Sequence, residues 1–508
     1  MPGLNRRDFL RLAALSVPAA VSSLSALRKS SDLQTARPNI VVLVLDAMSA
    51  RNLSLYGYAR NTTPNLDALA EHASVYHAHY AAGSFTPPGT ASMLTGVYPW
   101  THRAINPAGL VHPPFDQRNI FHWLMDDYYT EGFAQNYYAN VFLAQFREAI
   151  DRHMPVNSFA FPADMALLEQ HFPNDPVATY YALEKYGFTA ARMPSAPLFE
   201  LLYELGGGQH INRQPSASYP YGLPDNAVSR FENPAVYDGV LKEILALEGQ
   251  GRPYFGYFHL FAPHEPYAPR KQFVGIFPDL DFPYKKPNRL SSLDIDRSGI
   301  MHQRKRYDEY IADVDHEVGR LVSALAREGV LQNTCLVITS DHGELFERGE
   351  YGHVTKFLYE GVIHIPLVIL APGQAARRDF HAPTSNVDLV PTLLTLAGKP
   401  LPDGLEGRLL PGFGGEEDWT RPVFSVEAKQ CSSFGNLPRV TLALMKEEYK
   451  LIHYLGYGKV PDAFEFYNLW EDPDEMKDLF AVSPVQAARF RDELLATFEA
   501  KRVPGGKS

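Results

Sequence analysis

Cysteine is scarce, with two residues, Cys335 and Cys431, in a chain of 508. A disulfide framework is therefore excluded, although a single bridge is not. Cys335 opens the apolar run Cys335-Leu336-Val337-Ile338-Thr339, which reads as a buried strand, so its thiol is expected to be an inert core group. Positive charge is also in short supply. Lys and Arg number 47 against 58 Asp and Glu, a net charge of −11. That balance argues against a nucleic-acid partner, because phosphate binding needs a basic face. Apolar runs long enough to span a bilayer are missing too. The N-terminal stretch from Leu12 to Ala26 is short, broken by Pro18 and interrupted by four serines. No internal repeat or low-complexity tract is present.

What remains suits a large enzyme. Hydrophobic residues make up 45% of the chain, ample for a packed interior. The length allows two or three domains, or one large α/β core. At the N-terminus, Arg6-Arg7-Asp8-Phe9-Leu10-Arg11 precedes an apolar, small-residue stretch. This pattern resembles a twin-arginine export signal, with Asn5 where Ser or Thr is more usual, and residues 1–35 are set aside on that ground. No cysteine follows for a lipid anchor at the signal junction. The expected location is periplasmic or extracellular, with no stable membrane span in the mature chain.

From about Pro38 strand-like and helix-like segments alternate, the signature of an α/β fold. A mostly parallel central sheet sandwiched by helices is expected over residues 36–400. Residues from about 110 to 245 read as a helical insertion or cap, where substrate selectivity would sit. Thr63-Pro64 reads as a helix start, with Thr63 as N-cap. A long helix carries Ile311, Val314, Val318, Leu321, Val322 and Leu325 on one face and stops at Gly329. Residues 401–508 read as a small antiparallel subdomain closed by a helix over about 484–501.

Two apolar strands end in chemistry. Ile40 to Leu45 leads into Asp46, and the Cys335 strand leads into Ser340-Asp341-His342-Gly343-Glu344. In an open parallel sheet the C-terminal strand edge is where ligands gather. Two carboxylates and an imidazole delivered there make a site for a divalent metal. Thr86 stands at the start of a short helix that runs to Gly96, a place that favours an anionic group. Taken alone, Thr86 reads as a helix cap. Placed between the two strand ends, it reads as a nucleophile whose pKa a metal could lower.

At these residues the chain resembles the alkaline phosphatase superfamily in its sulfatase branch. The matching pieces are N-I-V-V-L-V-L-D ending at Asp46, N-T-T-P-N-L-D-A-L-A, M-L-T-G-V-Y-P ending at Pro99 and A-P-H-E-P-Y with His264. T-S-D-H-G-E with Asp341 and His342, L-Y-E-G-V-I-H-I-P ending at Pro366, and Y-N-L-W-E-D-P-D-E from Tyr467 complete the series in order. The resemblance implies an alkaline-phosphatase/sulfatase-like fold and an esterase whose nucleophile binds the metal. It places Asp46, Thr86, Asp341 and His342 at the metal, with Thr86 as nucleophile. His264 matches a histidine that contacts the ester or assists the leaving group. His353 and Lys356 lie near positions that hold the substrate anion. Read alone, His264 is more often a structural histidine and Lys356 a solvated side chain.

The departures are informative. Sulfatases carry Cys or Ser in C/S-x-P-S-R, which matures to formylglycine. Here Thr86 stands at the first position, Gly89 at the Ser and Thr90 at the Arg. Threonine cannot follow that maturation. The lysine and histidine of G-K-W-H are missing, and Gly132-Phe133-Ala134-Gln135-Asn136-Tyr137-Tyr138 stands near that place. Asp46-Ala47 replaces Asp-Asp, which removes a hard oxygen ligand. The remaining donor set favours Mn²⁺ or Zn²⁺ over Ca²⁺ or Mg²⁺, one ion per chain. The expected activity is cleavage of phosphate esters, phosphodiesters foremost, by hydrolysis or transfer through Thr86, on a small-molecule or a lipid or glycan ester. One alternative is a sulfatase that works without formylglycine. A second is a non-catalytic binder of anionic glycans or lipid headgroups.

Overall fold

The computed structural model describes residues 37–502 apart from 108, 162–176, 179–215, 227–228, 281, 283–295 and 459. The expected signal segment and most of the Ala178–Leu183 stretch lie outside the described residues. Eight strands form the central sheet: β1 (Asn39–Leu45), β2 (Ser74–Tyr76), β3 (Tyr129–Ala134), β4 (Arg152–His153), β5 (Tyr254–Leu260), β6 (Thr334–Thr339), β7 (Leu367–Leu370) and β8 (Arg378–Phe380). Their order is β8-β2-β7-β6-β1-β5-β3-β4. Every pairing is parallel except the two made by β7.

Among the described residues, seven of the longer helices pack against the sheets: α1 (Pro64–Ala70), α2 (Thr86–Thr95), α3 (Tyr137–Gln145), α4 (Asn233–Glu248), α5 (Arg297–Arg327), α6 (Leu389–Leu396) and α7 (Pro484–Lys501). Strand β1 is apolar at every position after Asn39 because helices cover both faces of the sheet. Val41, Leu43 and Leu45 pack with Leu66 of α1, Val236 of α4 and Ile311 of α5. Ile40, Val42 and Val44 face the opposite core, with Leu94 of α2, Phe142 of α3 and Leu393 of α6. The apolar face expected on α5 is buried throughout, and Gly329 follows it at φ +79°.

Two local expectations change. Thr63 precedes α1 but makes no side-chain cap. The Asp315 carboxylate of α5 caps it instead, accepting from the Asn65 and Leu66 N–H groups at 2.9 Å each. Within residues 110–245, expected as a helical insertion or cap, the described part includes strands of the central sheet. Strand β3 lies inside the sheet beside β5, and α4 packs on its face. The stretch misleads because helices flank β3 on both sides, while Glu131 and Gly132 break its apolar run. Glu131 is nonetheless buried.

The C-terminal residues form a four-stranded antiparallel sheet of β9 (Val423–Glu427), β10 (Val440–Lys446), β11 (Tyr449–Tyr457) and β12 (Val460–Asn468). Phe490, Leu494 and Phe498 of α7 pack on this sheet. Buried charge joins it to the main body. Arg421 grips Asp388 with bonds of 2.8 and 2.5 Å. Lys450 of β11, fully buried, reaches Glu360 at 3.0 Å and Glu475 at 2.8 Å. Both cysteines are free and buried, and burial pushes the Cys335 thiol up to about 12.

Candidate active site and metal centre

Register aligns the strand ends. Val44 of β1 lies opposite His259 of β5 on one side and Thr339 of β6 on the other. Asp46 and Asp341, each two residues further on, therefore leave the sheet at the same edge. The chain turns sharply after β1. Ala47 sits at φ +59°, left-handed backbone that a non-glycine residue adopts at a cost. Its N–H reaches Asp341 Oδ1 at 3.3 Å, and the Met48 N–H donates to Ser340 Oγ at 2.9 Å. These bonds tie the two strand ends together.

Helix α2 brings Thr86 to this edge. Phe85 is the extended N-cap, without a side-chain bond, so Thr86 is the first helical residue rather than the cap. Pro87 and Pro88 preset the helical φ of the first turn. The buried Thr86 Oγ1 lies 3.3 Å from His342 Nε2 and 3.2 Å from Asn136 Nδ2. Gly89 permits the approach, since a Cβ there would stand 2.2 Å from the Asp341 carbonyl oxygen.

The four expected metal and nucleophile groups converge. His342 Nε2 is 3.5 Å from Asp46 Oδ1 and 3.5 Å from Asp341 Oδ2. Two further residues, absent from the sequence expectation, complete the cluster. His259 Nε2 lies 3.2 Å from Asp46 Oδ2 and 3.7 Å from Asp341 Oδ2, while its Nδ1 meets the Tyr257 hydroxyl at 3.0 Å. Asn136, at the start of α3, donates to Asp46 Oδ2 at 2.6 Å. Each stands just where a strand meets its outgoing loop or helix, the signal that singled out Asp46 and Asp341. An aromatic strand around His259, and the missing lysine motif around Asn136, drew attention elsewhere.

The donor set fits a divalent cation. Ligand atoms of Asp46, His259 and Asp341 all lie within 4.8 Å of one another. Asp46 Oδ1 and Asp341 Oδ2 are buried without any hydrogen-bond partner, a costly state for carboxylate oxygens unless something positive meets them. Burial opposes the Asp46 charge, yet His264, His259 and His342 outweigh it and hold the carboxyl well below its usual range.

A histidine stack borders the cluster. The His353 ring is 4.4 Å from His342 and 4.7 Å from His264. Its Nδ1 lies 3.0 Å from Glu344 Oε1, and Glu344 Oε2 accepts from the Tyr267 hydroxyl at 3.0 Å. Burial pushes Glu344 up to about 8 and His353 down to about 3. Burial also works against a charged His264, but the Asp46 and Glu344 carboxylates hold its pKa above the ordinary value. Its Nδ1 donates to the Glu265 carbonyl at 2.6 Å, which leaves Nε2 available. Lys356 sits apart in character, its ammonium 5.0 Å from the centroid of the Phe357 ring.

Comparison with known proteins agrees with this architecture. The Sulfatase family model matches residues 38–399, and the model for the C-terminal part of N-sulphoglucosamine sulphohydrolase matches residues 349–502. Choline-sulfatase of Rhizobium meliloti (strain 1021) is 25% identical over 88% of this chain and 83% of that protein. Arylsulfatase K of Canis lupus familiaris is 32% identical over 36% of this chain, which spans 35% of that relative's length. Among solved structures, phosphonate monoester hydrolase of Agrobacterium radiobacter superposes with a TM-score of 0.65 at 20% identity, covering 92% of this chain and 96% of that one. The chain belongs to the sulfatase family of ester hydrolases, within the sulfatase-like branch of the alkaline phosphatase superfamily.

Proposed function

We propose that the protein cleaves phosphate esters, phosphodiesters foremost, with Thr86 as nucleophile and one divalent metal ion. The observation that carries this reading is the buried Thr86 hydroxyl, 3.3 Å from His342 and set among two carboxylates with unpartnered oxygens. Asp46, Asp341, His342 and Thr86 would hold the metal, with His259 as a further donor. Bound there, it would supply Lewis-acid polarisation and lower the pKa of an oxygen nucleophile. An imidazole-containing donor set supports Mn²⁺ or Zn²⁺ over Ca²⁺ or Mg²⁺.

The residues around the hydroxyl divide the remaining work. Pro87 and Pro88 carry no N–H, so two of the donors that lead most helices are missing from α2. Stabilisation of the substrate anion therefore falls to side chains. His264, with Nε2 unengaged and a raised pKa, suits the leaving-group oxygen as a proton donor. His353, kept neutral by burial, suits hydrogen bonding to an ester oxygen. Lys356 is assigned to holding the substrate anion on the strength of the sequence resemblance.

A second reading is sulfate-ester hydrolysis without formylglycine, which the names of the sulfatase relatives favour. Bis-p-nitrophenyl phosphate and p-nitrophenyl sulfate, each with Mn²⁺ or Zn²⁺, separate the two. Faster turnover of the phosphodiester, abolished in Thr86→Ala, is expected. Faster turnover of the sulfate would transfer the assignment to the second reading, and full activity in Thr86→Ala would remove the nucleophile. The twin-arginine-type segment supports export of the folded protein, which appearance in the periplasm of a producing cell would test. No helix among the described residues is long and apolar enough to cross a membrane.

A further inference from the structure

Resting on Thr86 as the nucleophile, we infer that Asn136 is a further catalytic residue, whose side-chain amide holds Thr86 Oγ1 as an acceptor and orients it for attack. An amide can be placed in either of two orientations, so its neighbours must decide which end donates. Here both ends are decided. Asn136 is the N-cap of α3, and its Oδ1 accepts from the Tyr138 N–H at 2.9 Å. Its Nδ2 lies 2.6 Å from Asp46 Oδ2, an oxygen of an ionised carboxylate that only accepts. Rotating the amide would set N–H against N–H at Tyr138 and oxygen against oxygen at Asp46.

The same Nδ2 lies 3.2 Å from Thr86 Oγ1. Asn136 therefore donates and the threonine oxygen accepts. The threonine hydrogen is left to point elsewhere, and His342 fixes where. Its Nδ1 stands 2.9 Å from the Gly343 carbonyl, which can only accept, so the ring hydrogen is on Nδ1. Nε2 then turns its one lone pair toward Thr86 at 3.3 Å, the same lone pair that would hold a metal. The threonine oxygen thus receives its bond from Asn136 whether its other side faces Nε2 or a bound metal. Asn136 is 3% exposed, so it has no room to swing away.

The simpler role is that Asn136 only caps α3. Two substitutions separate the roles. Asn136→Ser restores a good cap but cannot reach Thr86. Asn136→Thr also caps and likewise carries no amide to reach Thr86. With bis-p-nitrophenyl phosphate and Mn²⁺, kcat should fall about 10²–10³-fold in both, the usual effect of losing one aimed donor. KM should stay within about threefold and metal should still bind, while the melting temperature falls modestly with loss of the 2.6 Å bond to Asp46. The role as donor is overturned if Asn136→Ser turns over within threefold of the parent, because a cap then suffices. Thr86→Ala distinguishes the two layers. If it is inactive while Asn136→Ser is active, this inference alone fails; if it is active, the nucleophile reading fails and this inference with it.

Discussion

Gly89 and Asp341 are packed backbone to backbone, so closely that a Cβ on Gly89 would lie 2.2 Å from the Asp341 carbonyl oxygen and 3.0 Å from its carbon. Neither contact ends on a flexible side chain that could yield. Gly89→Ala should push α2 away from the β6 edge, costing about 1–3 kcal/mol as overpacking does. Turnover should fall further than stability, because the displacement moves Thr86 relative to His342. Denaturant melts beside initial rates check this. Parent-like values of both would show that the helix start is more pliant than its packing implies.

The unpartnered oxygens of Asp46 and Asp341 make metal a stabilising ligand. Dialysis against a chelator should lower the melting temperature, and Mn²⁺ or Zn²⁺ should restore it more fully than Ca²⁺. At a hundred times Kd the linkage is worth about 2.7 kcal/mol. His259→Ala should weaken metal retention by at least ~10-fold, the lower end for loss of a group that supports a metal site. Elemental analysis after gel filtration measures it. Undiminished metal in His259→Ala would reduce His259 to a partner of the two carboxylates.

Glu131 links stability to pH. It is 1% exposed, one of its oxygens has no partner, and Arg152 reaches the other only at 3.5 Å. Burial pushes its pKa from 4.5 to about 7. Between those values the folded chain holds more protons than the unfolded chain, so stability falls as pH rises through the window. The loss should be on the order of 3 kcal/mol. Glu131→Gln should melt like the parent near pH 5 and higher than the parent at pH 8. Equal melting at pH 8 would place the ionised carboxylate in a less hostile setting than its burial indicates.

Lys450 sits between Glu360 and Glu475 with no exposed surface. Lys450→Ala would strand two carboxylates in the interior, at a cost of about 3–5 kcal/mol. Lys450→Met together with Glu360→Gln and Glu475→Gln should recover much of that loss. Chemical denaturation of the single and triple variants tests both statements. A single variant as stable as the parent would mean that water reaches the joint.

The central sheet was legible because β1, β5 and β6 are nearly unbroken apolar runs, and such runs mark strands covered on both faces. Asp46, Asp341 and His342 were legible for the same reason, since they stand where those runs stop. His259 was not, because a lone polar residue at the end of Tyr254-Phe255-Gly256-Tyr257-Phe258 becomes conspicuous only once register sets it opposite Val44. Asn136 was hidden by its double duty, since helix capping already accounts for an asparagine at that position. Strand β3 was missed because six residues containing Glu131 and Gly132 carry a weak strand signal. The cap of α1 was misassigned to Thr63 because Asp315, which supplies it, lies some 250 residues away.

Strand β1 feeds one core with its odd-numbered residues and the other with its even-numbered ones. A single-residue insertion or deletion within it would exchange the two sets and rotate Asp46 to the wrong side of the sheet. Alleles that change the length of this strand by one should therefore be null for folding and function alike. Those that alter side chains while preserving its length should grade smoothly with the volume they remove.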